Sequence, residues 1–133
     1  MKIPQYPRFL YALGFIHSMY FMAIGIWPVI DLNSFVFFTG PKTDIWMAKA
    51  LGLLMTLTGI LVISATIRNK LIMELILLII FSAAVLAGVE FYYGWNDLIP
   101  EIYLLDATAE FFFILCWLLL LLTKPRTKKA ISQ

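Results

Sequence analysis

Charge is what this sequence has least of. Of its 133 residues, 14% are charged and 62% are hydrophobic, against about 25% and roughly 45–50% in an ordinary soluble domain. A soluble chain this short has too much surface to hide such an excess, so a soluble globular domain is excluded. Disorder is excluded as well, because it needs low hydrophobicity and high net charge. Cysteine is nearly absent: Cys116 stands alone, which rules out an intrachain disulfide and a cysteine-built zinc site. The net charge is only +2, and no basic patch with interleaved aromatics is present, so no nucleic-acid partner is expected. HExxH, GxSxG, P-loop and glycine-rich dinucleotide motifs are all missing, and hydrolase chemistry has no nucleophile constellation behind it.

What is present is apolar sequence in long runs. A bilayer core of about 30 Å needs roughly 20 mostly apolar residues per helix. Four stretches meet this, at about residues 9–30, 45–67, 71–93 and 100–123. They fill the chain as a single transmembrane domain. The predicted fold is an all-α, up-down bundle of four transmembrane helices. The first stretch is too long for a signal-peptide core and lacks a small-x-small cleavage site, so it is expected to be retained. Lys2, Arg8, Arg68, Lys70, Lys124, Arg126, Lys128 and Lys129 fall on one side of this layout, and only Lys42 and Lys49 on the other. The positive-inside rule then places both termini in the cytoplasm of a multi-pass inner-membrane protein.

The connections differ. Arg68-Asn69-Lys70 and Gly94-Trp95-Asn96-Asp97 are short, so spans two and three, and spans three and four, should be neighbours. The connection from Asp31 to Asp44 is longer and holds Phe35-Val36-Phe37-Phe38, too apolar for a free loop. It is expected at the membrane interface or folded over the bundle mouth. Gly40-Pro41 should turn the chain there, with Thr43 or Asp44 capping the second span. Pro100 suits the first turn of the fourth.

Ionisable groups inside a span are costly and tend to mark function. They are His17, Lys49, Glu74, Glu90, Asp106 and Glu110. Glu74 is one turn from the cytoplasmic end, where it can snorkel and pair with Lys70. At 1.5 Å per residue, Asp106 and Glu110 lie roughly 9 and 15 Å below the start of the fourth span, and His17 about 12 Å into the first. Asp106 and Glu110 share a stripe as i,i+4 neighbours, extended by Tyr103 and Trp117. Glu90 shares a face with Ala83, Ala87 and Gly94, and Lys49 with Gly52, Thr56 and Gly59. Small residues mark helix–helix contacts in membranes, so both should point inward. Each also has a plain structural reading: Lys49 as a snorkelling lysine, Glu90 as its partner in a bridge, His17 as an interhelical hydrogen bond. Asp106 with Glu110 has no obvious local partner and is hardest to explain that way.

The predicted site is therefore an outward-opening acidic pocket. Glu90, Asp106 and Glu110 hold the polar part of a ligand, His17 and Lys49 tune protonation, and Phe35, Trp46, Tyr92, Tyr93 and Tyr103 wall the mouth. Such a cluster can hold a cation, relay a proton, or act as acid and base. One histidine with scattered acids has no metal-ligand spacing, so no metal is expected, and no cofactor is legible. The predicted ligand is a cation, a cationic amphiphile or a small lipid-like molecule. A proton-coupled transporter, an accessory subunit of a larger membrane complex, a homo-oligomer, and an enzyme acting on a lipid or quinone remain open.

At Gly40-Pro41-Lys42-Thr43-Asp44-Ile45-Trp46, followed by the glycine-bearing second span, the chain resembles small bacterial membrane proteins of DoxX-like layout. The likeness lies in four spans, a basic N-terminus and a glycine-rich second helix. It implies a bacterial four-helix membrane protein and hints at membrane redox partners or a quinone. It assigns no residue a role.

Overall fold

Apolar runs with too few polar groups to satisfy their own backbone must pair it internally, and in a membrane that means helices. The computed structural model, which describes residues 6–123, is helical throughout those runs. Its elements are α1 (Arg8–Ile30), α2 (Leu32–Thr39), α3 (Ile45–Ile67), α4 (Met73–Trp95) and α5 (Ile102–Leu122). All except α2 are long and apolar enough to cross a membrane. Their outward faces are hydrocarbon: Phe81, Phe112, Leu54 and Leu105 are all exposed. This is a multi-pass membrane bundle.

The four long helices run up and down around a ring in chain order. The α1–α3 seam is the most extensive contact and α4–α5 the next; α3–α4 and α1–α5 are much thinner. Spans two and three are thus neighbours, as their short turn requires, but they touch along little of their length. An apolar groove of about 410 Å³ opens between them, lined by Leu54, Phe81 and Val85 among others.

The α1–α3 seam is thick because small residues let the backbones meet. A Cβ built on Gly52 would fall on the Gly25 carbonyl, and one built on Gly59 would lie 2.9 Å from the Ser18 carbonyl. No side chain fits at these contacts. Both short turns end their helices in the same way. Asn69 and Asp97 adopt left-handed φ values of 53° and 55°, and Lys70 N–H and Leu98 N–H reach back to the Ala65 and Tyr93 carbonyls. These are Schellman closures made with Asn and Asp, the side chains that tolerate that conformation best after glycine.

Where the sequence has a connection too apolar for a free loop, the structure has the short helix α2. Asp31 forms the joint: its N–H donates to the Trp27 carbonyl at 2.9 Å, and its carboxylate accepts from Ser34 N–H at 3.1 Å. The helix folds over the mouth and packs on α1 and α5. Gly40 then turns the chain with φ 80°. Two terminal assignments need correcting. Asp44 occupies the N-cap position of α3, but its side chain makes no capping bond. Pro100 lies ahead of α5, whose N-cap is Glu101, so it is outside the first turn.

Candidate functional site

The thin α1–α5 contact carries the polar residues. Along it, residues of two antiparallel helices face each other as rungs. Nearest the end with both termini, the Trp117 indole sits beside Gly14. One turn along, His17 meets Glu110, with Nε2 and Oε2 2.9 Å apart. A turn further, the Tyr20 hydroxyl donates to the Asp106 carboxylate. Beyond that, Ile24 and Tyr103 face the cavity described below.

The deep rung is fully buried. His17, Glu110 and Trp117 have no exposed surface. The imidazole stacks on Phe113 at 4.2 Å and meets Phe21 edge-on at 5.0 Å, which fixes its plane. The Trp117 Nε1–H donates to His17 Nδ1 at 3.0 Å. An indole nitrogen can only donate. Nδ1 is therefore an acceptor, the ring proton sits on Nε2, and Nε2–H donates to Glu110 Oε2. The other carboxyl oxygen, Oε1, is buried without a partner. The indole also ends the ladder of α1–α5 side-chain hydrogen bonds: its only N–H is used, and its ring lies over Gly14, where the Thr66 hydroxyl and Leu71 also come close.

The outer rung opens into space. A cavity of about 110 Å³ is lined by Glu90, Asp106, Lys42 and Tyr103 on its polar side and by Ile24, Pro28, Gly52 and Met55 on its apolar side. Pro28 has no N–H to give the Ile24 carbonyl. Glu90 Oε2 is buried and unpaired. A side groove of about 220 Å³ lies against it, between α1, α2 and α5, and includes Trp27, Phe35, Ile102 and Leu105. Asp106, Tyr103, Phe35 and Ile24 line both spaces. The groove reaches the membrane-facing surface, where Leu105 is 72% exposed.

The residues expected in one pocket thus fall into three places. Glu90, Asp106 and Tyr103 share the cavity. His17 and Glu110 form a closed pair one turn deeper. Lys49 is half-buried one turn from Gly52 and lines none of these spaces. It makes no bridge to Glu90: among the described residues, His17–Glu110 is the only acid–base side-chain contact within 4 Å. The lysine in the cavity is Lys42. Of the expected aromatic wall, Phe35 and Tyr103 line the cavity, while Trp46, Tyr92 and Tyr93 point outward. Sequence reasoning did not single out Tyr20, Trp27 or Lys42 for the site. Tyr20 had a signal, since it lies one turn from His17 on the same face. Among the described residues, no group of three His, Cys, Asp or Glu side chains is gathered to hold a metal. No family model, no curated protein and no solved structure matches the chain.

Proposed function

We propose that the protein binds an amphiphile, its polar head in the Glu90–Asp106 cavity and its apolar tail along the groove between α1, α2 and α5. The observation that carries this reading is that Asp106 lines both spaces. A buried carboxylate needs a hydrogen-bond donor or a positive charge beside it. Tyr20 supplies one donor, and Glu90 Oε2 has none. A cationic or hydroxyl head would satisfy both acids. The cavity is small, about 110 Å³, so the head is compact. By the positive-inside reading this end of the bundle faces away from the cytoplasm.

The ladder below the cavity supports binding over transport through a single chain. A carrier needs access from both sides, and the side-chain hydrogen bonds between α1 and α5 among the described residues stop at Trp117. The test is thermal unfolding in nanodiscs with dodecylamine and dodecanol as probes. At least one should raise the midpoint in the wild type, and Asp106→Asn combined with Glu90→Gln should abolish the rise. Stabilisation that survives the double substitution rules the site out.

A further inference from the structure

Lys42 sits in a cage of acceptors. Its Nζ donates to the Thr39 carbonyl at 2.6 Å and to the Gly40 carbonyl at 3.2 Å. It lies 5.2 Å from the centre of the Tyr103 ring and 5.9 Å from that of Phe35, within cation–π range. Glu90 and Asp106 line the same cavity, yet neither approaches Nζ within 4 Å. The carbonyls come from the end of α2, and Gly40, with φ 80°, turns the chain so that both lie within reach of the side chain two or three residues on.

We infer that this cage is the head-group subsite for a primary ammonium, and that Lys42 fills it as a tethered competitor. The inference rests on the amphiphile reading and names its ligand class. Apart from Lys42 itself and the Tyr103 hydroxyl, the polar side chains lining the cavity are the two carboxyl groups of Glu90 and Asp106. An anionic head would meet two carboxyl groups and one ammonium already committed to carbonyls. A quaternary ammonium could use the ring faces but has no N–H for the carbonyls. A primary ammonium has three N–H donors, enough for both carbonyls with one to spare. Lys42 demonstrates the fit with the same chemical group. Because it is attached to the chain, it competes at an effective concentration on the order of millimolar, and a ligand must displace it.

The experiment measures dodecylamine binding by calorimetry at neutral pH, in nanodiscs of zwitterionic lipid. Dodecanol and dodecyltrimethylammonium serve as matched probes. Lys42→Met should tighten dodecylamine binding by about tenfold, with Lys42→Gln moving the same way. Lys42→Arg, which keeps a cation in the cage, should show no gain, and neither comparison probe should gain in any variant. Unchanged or weaker dodecylamine binding in both Lys42→Met and Lys42→Gln overturns the inference, as does an equal gain for the quaternary probe. If dodecanol binds in an Asp106-dependent way while the Lys42 variants leave the amine unmoved, the competitor idea fails and the amphiphile reading stands. If no probe binds any variant, both fail.

Discussion

Helix α1 has two working faces, and they are built on opposite principles. Toward α3 it offers Gly25 and the Ser18 carbonyl to Gly52 and Gly59, and the backbones touch. Toward α5 it offers His17 and Tyr20 to Glu110 and Asp106, and the contact is thin. The first face holds the bundle together without any titratable group. The second spends little area on cohesion and places the buried ionisable pair, His17 and Glu110. The difference teaches that the polar rungs are not there to join the helices, since the seam already does that by close packing. An interhelical hydrogen bond in a membrane is worth on the order of 1 kcal/mol, a small return for one buried and one half-buried acid.

The sharpest way to break this comparison is at the seam. Gly52→Leu puts a branched side chain onto the Gly25 carbonyl, and its overpacking cost should reach or exceed about 3 kcal/mol. Loss of a monodisperse species in mild detergent is the readout. Gly88→Leu is the control: a Cβ there meets nothing within 4 Å, so it should behave as wild type. If the two leucines are equally harmful, the seam is not the main source of cohesion.

Next comes the deep rung. Glu110→Leu strands the His17 Nε2–H in a buried site, for a loss of about 1–3 kcal/mol in reversible unfolding. Glu110→Gln keeps a carbonyl oxygen for that proton and should cost under about 1 kcal/mol. Equal losses would mean that the volume of Glu110 matters and its acceptor does not. Comparable to Glu110→Leu is Trp117→Phe, which strands the His17 Nδ1 acceptor and leaves a void where the indole lay over Gly14; about 1–3 kcal/mol is expected. The smallest stability effect should come from Tyr20→Phe on the part-buried outer rung, at or below about 1 kcal/mol, with its consequence appearing in ligand binding.

Much of the architecture is legible in the sequence, because a bilayer imposes a length on apolar runs. The spans read at 45–67 and 9–30 match α3 and α1 to within a residue, and the other two to within about two. The facing of Asp106 and Glu110 follows from helical spacing alone. The pairing of His17 with Glu110 and Trp117 does not. Periodicity tells which face a residue shares, but not which helix will lie against it, and the ring order with its thin α1–α5 contact is set by packing. The role of Lys42 is hidden for a similar reason. Its cage is made of backbone carbonyls and rings that exist only once α2 has folded over the mouth. A local signal for α2 was nonetheless present, in Asp31 placed three residues before Ser34 at the start of an apolar run, a capping spacing. The placing of Lys49 is hidden because its glycine-rich face is the seam with α1, where small residues signal a neighbouring helix; Ala48 and Gly52 reach the cavity from α3 and Lys49 does not.

The central claim, that Asp106 joins a head-group cavity to a tail groove, is tested most directly by mapping a bound tail. A long-chain amine carrying a diazirine near the end of its chain, photolysed in nanodiscs with the protein, should label Ile24, Trp27, Ile102 or Leu105 as read by peptide mass spectrometry. Asp106→Asn should remove that labelling. Label concentrated instead on Leu54, Phe81 or Val85 in the groove between α3 and α4, or label indifferent to Asp106, would contradict the account.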